Sequence, residues 1–322
     1  MKGDANIALF KCQTSDPYKE FELSGKNFPA SQKIAIICVM QKQLELLKKY
    51  SLSVKGIRGQ HFLVDPNIQR KIIESVHPQP SDVILEIGPG LGAITENLLQ
   101  SGARVVAVEL DEKFCDILKQ EYGSQFKNFT VIHADILSIQ FDRLLTDLGF
   151  KKNQKIKVVG NIPYYITTPI LLCLISNRNA VSESVLMMQE EIVDRLTAQP
   201  GTKNYGRLSL LAKFYTHTER AFRVPPGCFS PKPKVNSAVV RITFHGQEPQ
   251  INEALFFEIV KCSFAHRRKN ILNSISHEMK DKFQKSVIEE ALSQAGINPK
   301  KRSEELLLKD FLKLAEILNK KN

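Results

Sequence analysis

From residue 83 onward, short apolar runs alternate with stretches in which apolar positions recur every three or four residues. Val83–Ile87 (Val-Ile-Leu-Glu-Ile) is the first such run, and 104–108, Phe129–His133, 157–160 and 184–188 follow it. Runs of this length, rich in Val and Ile, predict strands buried on both faces. Helices are predicted between them, from Gly92 to about Gln100 and over 112–121, 168–176 and 190–198. Upstream, Asp65-Pro66 opens a helix reaching about Val76, since Asp caps helices and Pro suits a first turn. Two further runs, 213–224 and 237–244, are predicted to pair as an antiparallel ribbon. This rhythm predicts an α/β fold, a doubly wound sheet with its ligand at the C-terminal ends of the strands.

After about residue 247 the strand pattern stops. Segments 253–276 and 283–318 read as helices with breaks at Gly296 and Pro299, and 248–322 is expected to be a small helical second domain. The sheet domain is expected over 40–247, opening with a short amphipathic helix with a basic end after Met40. Residues 1–39 have no clear periodicity. They are expected to be a flexible extension, with the working chain starting near Met40.

Composition narrows the partners. The 322 residues carry a net charge of +11, which favours a polyanion, nucleic acid first and an anionic membrane second. The six cysteines (12, 38, 115, 173, 228 and 262) are scattered with no CxxC pair. That argues against a zinc site or a disulfide framework and fits a reducing cytoplasm. The most apolar early segment, 34–40, is too short to span a bilayer. No metal and no membrane association are expected.

The run Glu-Ile-Gly-Pro-Gly-Leu-Gly at 86–92 turns a buried strand into a helix. Gly88 and Gly90 let the backbone approach a ligand there. Nicotinamide enzymes use a similar turn, but here the spacing is G-x-G-x-G, with Ala93 where the last glycine of that motif belongs. Glu109, at the end of the second strand, is placed to accept two ribose hydroxyls, which suits NAD and S-adenosyl-L-methionine alike. Asp135, past the third strand, adds an acceptor for an adenine amine, with Ile136 to cover the ring. Glu86 either joins this pocket or orients the glycine loop. Any one acid here is also what a helix cap or a solvated loop charge looks like. Three acids at successive strand ends suit a cationic sulfonium better than a pyrophosphate.

The fourth strand leads into Asn161-Ile162-Pro163-Tyr164. The Asn161 side-chain oxygen and a backbone carbonyl near Pro163 can each accept a hydrogen from an exocyclic amine, and Tyr164 offers a face for an aromatic ring. Two acceptors aim the amine lone pair at an electrophile. The plainer alternative is a strand end with a turn.

These motifs, with Gly59-Gln60-His61-Phe62-Leu63, the helix 189–196, Phe229-Ser230-Pro231-Lys232-Pro233-Lys234-Val235, the segment from Phe264 through Asn270 and that from Gly296 through Glu304, resemble the KsgA-type family of small-subunit ribosomal RNA adenine dimethyltransferases. The resemblance runs from about Leu44 to Leu318 and implies a class I methyltransferase, Rossmann-like sheet. It implies that S-adenosyl-L-methionine contacts His61, Leu63, Gly88, Glu109, Asp135 and Asn161. His61 stands where bacterial members commonly carry Asn, and either side chain can donate to the methionine carboxylate. It implies dimethylation at N6 of two adjacent adenines near the 3′ end of 16S rRNA, in the assembling 30S subunit, by in-line attack without a covalent enzyme intermediate. Tyr164 is expected to stack on one face of the base and Phe229 on the other, although an isolated Phe commonly packs in a core. Lys232, Lys234, Arg267, Arg268 and Lys269, with Lys300, Lys301 and Arg302, are the expected phosphate contacts. Two alternatives share the motifs: a large-subunit (23S) rRNA dimethylase of the antibiotic-resistance type, and a non-catalytic RNA-binding or transcription factor on the same scaffold.

Overall fold

A computed structural model describes residues 43, 45–52, 61–151, 154–246, 250–266 and 268–321. The expected extension over 1–39 and the candidate phosphate contact Arg267 lie outside the described residues. In chain order the elements are β1 (Phe62–Leu63), α1 (Pro66–Val76), β2 (Val83–Ile87), α2 (Thr95–Gln100), β3 (Arg104–Glu109), α3 (Glu112–Leu118), β4 (Phe129–His133), α4 (Phe141–Asp147), β5 (Ile156–Asn161), α5 (Thr167–Ser176), β6 (Val181–Gln189), α6 (Glu190–Leu196), α7 (Arg207–Tyr215), β7 (Thr216–Val224), β8 (Phe229–Ser230) and β9 (Ser237–Phe244). The helices α8 (Glu253–Ser263), α9 (Ile271–Glu278), α10 (Lys285–Ala295) and α11 (Leu308–Asn319) follow.

The main sheet has seven strands in the order β4-β3-β2-β5-β6-β9-β7. Strands β2 to β6 are parallel, and β9 runs antiparallel between β6 and β7. Side chains alternate between two apolar layers. Val83, Leu85, Ile87, Val106, Val108 and Val158 join one, while Ile84, Val105 and Val159 join the other. That is the period of two of a strand covered on both faces. In α1, Asp65 Oδ1 accepts from the backbone N–H of Asn67 at 2.8 Å and of Ile68 at 3.2 Å. Ile68, Ile72 and Val76 bury one stripe of that helix under the sheet.

The expected strands and the ribbon of 213–224 with 237–244 are present, with three differences. Residues 213–215 close α7 rather than open a strand. Leu210, Phe214 and Tyr215 on that helix pack into the core shared by α8 to α11, so burial overrides the aromatic, strand-like composition. The stretch 253–276 is two helices. Asn270 ends the break by accepting from the backbone N–H of Asn273 at 2.9 Å, which starts α9. Helix α3 ends at Leu118 and continues as one wider turn, Lys119–Gly123, which brings Tyr122 beneath Gly92.

Because β2 has β3 on one side and β5 on the other, the chain reverses direction across the sheet beside β2. Clefts form at such a switch point. Gly160 sits opposite Ile87 in the β2–β5 ladder, and a Cβ there would lie 2.8 Å from the Ile87 carbonyl oxygen and 2.9 Å from Ile162 Cδ1. Gly160→Ala is therefore expected to force these strands apart and to destabilise the protein by about 1–3 kcal/mol. Urea unfolding midpoints of the two proteins check this; equal midpoints would show that the ladder tolerates the methyl group.

Candidate active site

The C-terminal ends of β2, β3, β4 and β5 line one cleft. Its floor is the glycine turn. Gly88, Gly90 and Gly92 have φ of +61°, +56° and +79°, values that side chains other than glycine rarely adopt. A Cβ on Gly92 would also lie 2.6 Å from the Tyr122 ring. The turn is tied to the next strand, for Gly90 N–H donates to Glu109 Oε2 at 3.1 Å. Glu109 Oε1 accepts from the backbone N–H groups of Leu110 at 2.9 Å and Asp111 at 3.0 Å. Burial raises the Glu109 pKa, and these three backbone bonds oppose the rise.

Glu86 is 2% exposed and its Oε2 accepts from the Thr95 hydroxyl at 2.7 Å. Burial pushes its pKa up to about 8; the Thr95 bond lowers it and the Glu109 charge raises it further. Asp135 is exposed and lines the cleft. One of its oxygens accepts from Leu137 N–H at 2.9 Å, so it also caps the short turn that follows. The carboxyl side chains lining the cleft are those of Glu86, Glu109, Asp111 and Asp135. No Lys or Arg joins them among the described residues. This set of acceptors fits a cation bearing hydroxyls and an amine, and would repel a pyrophosphate.

At the other end of the cleft, Asn161 Nδ2 donates to the His61 carbonyl at 3.1 Å. A carbonyl only accepts, so the amide is oriented and Oδ1 is left as the acceptor. The Pro163 carbonyl is taken by Ile166 N–H at 3.2 Å and by the Thr167 hydroxyl at 3.5 Å. The Ile162 carbonyl accepts from no described residue, so it is the unpaired carbonyl beside Pro163. Tyr164 shares a hydrogen bond of 2.9 Å with the Ser237 hydroxyl, and its ring centroid lies 5.8 Å from that of His61. His61 Nδ1 donates to the Pro231 carbonyl at 2.7 Å. The neutral ring then offers Nε2 only as an acceptor, so donation to a carboxylate requires a second proton.

Leu63 lines the cleft from β1, which pairs with β8, Leu63 lying opposite Phe229. Phe229 is 5% exposed, packs in the apolar layer with Val224 and Val239, and does not line the cleft. In this structure it is a core aromatic and not the second face of a base clamp. Lys232 and Lys234 are exposed just beyond β8, while Arg268 and Lys269 are exposed between α8 and α9; none of the four lines the cleft. Two contributors had no signal in the sequence pattern. Gln43, from the helical segment before β1, is buried in the cleft wall with Nε2 3.4 Å from the Leu91 carbonyl. Tyr165 stands exposed at the lip.

A family model described as ribosomal RNA adenine dimethylase matches residues 53–320. The chain belongs to the ribosomal RNA adenine dimethylase family. Within that family it is 41% identical over 278 residues to the ribosomal RNA small subunit methyltransferase A of Anoxybacillus flavithermus, covering 85% of this chain and 93% of that one. It is 39% identical over 288 residues to the protein of the same name from Enterococcus faecalis, covering 88% and 97%. Among solved structures it is similar to a dimethyladenosine transferase from Plasmodium falciparum (TM-score 0.68, 28% identity, 81% and 98% covered). It is also similar to the 23S rRNA methyltransferase ErmE (TM-score 0.61, 25% identity, 80% and 99% covered). The α/β sheet described above is thus the class I methyltransferase fold.

Glu86 gives this adenine dimethylase a pH signature. The unfolded chain releases its proton near pH 4.5, while the folded chain holds it to about pH 8. The folded state binds more protons in that window, so Glu86 makes stability fall as pH rises through it, by up to about 1.4 kcal/mol per pH unit. Glu86→Gln is expected to remove that fall. Urea unfolding of both proteins at pH 5.5 and 7.5 tests this; parallel losses would place the titration elsewhere.

Proposed function

We propose that the protein transfers methyl groups from S-adenosyl-L-methionine to N6 of two adjacent adenines near the 3′ end of 16S rRNA, dimethylating each while the small subunit assembles. The enzyme is an rRNA adenine dimethyltransferase. The observation that carries the reading is the oriented Asn161 amide, with its oxygen and the unpaired Ile162 carbonyl, one residue on, as acceptors in the cleft that Tyr164 also lines. The relatives near 40% identity are named as small-subunit enzymes, against 25% for the 23S enzyme ErmE, which favours 16S rRNA. The full acidic cleft speaks against a non-catalytic scaffold.

When bound, S-adenosyl-L-methionine supplies an electrophilic methyl group on a cationic sulfur. Glu109 would hold its ribose, Asp135 its adenine amine, and Gly88, Gly90, Leu63 and His61 the remainder; an acidic lining without lysine or arginine fits its positive charge. Asn161 Oδ1 and the Ile162 carbonyl would accept the two hydrogens of the target amine and turn its lone pair out of the ring. Tyr164, held by Ser237 and His61, would stack on the base. Asn161 is no base, so the proton lost after attack passes to water. Proximity and alignment then carry the rate. The target adenine has to leave its stack to enter. The helical unit at 248–322, with Arg268 and Lys269, and the loop carrying Lys232 and Lys234, would bind RNA phosphates in a cytoplasmic setting.

Labelled methyl transfer to small subunits lacking the modification, with the nucleoside identified by mass, is expected to yield N6,N6-dimethyladenosine at two neighbouring positions. Transfer only to large-subunit RNA would overturn the choice of substrate. Asn161→Ala is expected to lower kcat by about 100-fold or more while the Kd for the methyl donor, read by calorimetry, stays near wild type. Glu109→Ala is expected to weaken donor binding by about 10- to 100-fold. An unchanged Kd would remove the ribose contact.

A further inference from the structure

Tyr165 is 61% exposed, the most exposed of the large apolar and aromatic side chains among the described residues. A single exposed tyrosine needs no explanation in itself. This one follows Tyr164 in the same tight turn, Tyr164–Ile166, and lines the same cleft. The two rings are held differently. Tyr164 is fixed by Ser237 and packs against His61. Tyr165 has no hydrogen bond, aromatic partner or cation among the described residues, so nothing in the fold accounts for its ring.

Consecutive residues of a tight turn diverge by about a third of a revolution. Tyr164 therefore faces the cleft wall while Tyr165 turns to solvent at the lip. A nucleotide strand that delivers a base to Tyr164 carries its neighbour past this lip. Pulling one base out of a stack also exposes a face of the next one, which gains by meeting another flat ring.

We propose that Tyr165 is a stacking platform for the nucleobase adjoining the target adenine, a second base subsite on the RNA side of the cleft. This rests on the rRNA reading above. The subsite recognises any flat base, since every base has a π-face. On a substrate with two adjacent adenines it holds the one not being methylated, and it exchanges them when the strand moves by one nucleotide.

Tyr165→Ala, Tyr165→Leu and Tyr165→Phe separate an aromatic face from mere bulk. With unmethylated small subunits as substrate, Tyr165→Ala is expected to raise KM for the subunit about 10-fold, with kcat at saturation within about two-fold. Tyr165→Phe is expected to restore KM and Tyr165→Leu to fall between. Donor Kd by calorimetry should be the same in all four proteins. A KM unchanged by Ala, or raised equally by Ala and Phe, overturns the platform. A changed donor Kd overturns it as well, because Tyr165 would then belong to the donor pocket. Wild-type protein that binds donor yet methylates no small-subunit RNA would overturn the rRNA reading itself, and this proposal with it.

Discussion

The site depends on how closely β2 and β5 approach at their C-terminal ends. Ile87 and Gly160 face each other in the ladder. The glycine turn leaves β2 one residue after Ile87, and Asn161 follows Gly160. Parallel strands lie about 4.8 Å apart, so the two halves of the site start side by side. Gly160 makes room for this, since a Cβ there would press on the Ile87 carbonyl. The second tie is the bond from Asn161 Nδ2 to the His61 carbonyl, which spans 100 residues of sequence. It orients the amide and fastens the segment before β1 over the end of β5.

Charge is divided in a way that suits two ligands of opposite sign. A chain of net charge +11 places four acids and no lysine or arginine among the described lining of its cleft. Burying acids together is unfavourable, as the raised pKa values of Glu86 and Glu109 record. A cation entering the cleft relieves that cost. A phosphate entering would add to it. Exposed Lys232 and Lys234, on the loop after β8, and Arg268 and Lys269, between α8 and α9, lie outside the cleft, where a polyanion can be held without entering it. A nucleic acid on such a protein is drawn to the outside, and the part suited to go in is an uncharged base.

The strands, the glycine turn, the acids and the Asn161 turn were legible because each depends on local pattern. Buried parallel strands are continuous apolar runs, and the turn residues punctuate them at fixed offsets. What escaped depends on contacts distant in sequence. The β1–β8 ribbon is two residues wide and joins segments that only the tertiary fold brings together. Phe229 looks free in the sequence and becomes a core residue through that ribbon. His61 looks like a donor, but its Nδ1 proton goes to Pro231, 170 residues away. Helix α7 has a strand-like end, and its helical state follows from packing against the C-terminal helices. The carbonyl beside Pro163 could be counted from sequence, but only the tight turn shows that the one left open belongs to Ile162.

That pair of acceptors also bears on how the reaction ends. On the proposed reading an unmethylated adenine amine offers two hydrogens, one for Asn161 Oδ1 and one for the Ile162 carbonyl. After one transfer a single hydrogen remains, enough to keep the base in register while the other acceptor is left to water. After the second there is none. Two polar acceptors then face methyl groups, and an unmet buried acceptor costs about 1–3 kcal/mol. The clamp thus holds its substrate better than its intermediate and its intermediate better than its product. A carboxylate at 161 would not serve as well, because it has no hydrogen for the His61 carbonyl and would set two acceptors against each other. An amide satisfies that carbonyl with one end and presents the other to the base, so the group that orients the reaction also weakens the hold on its product.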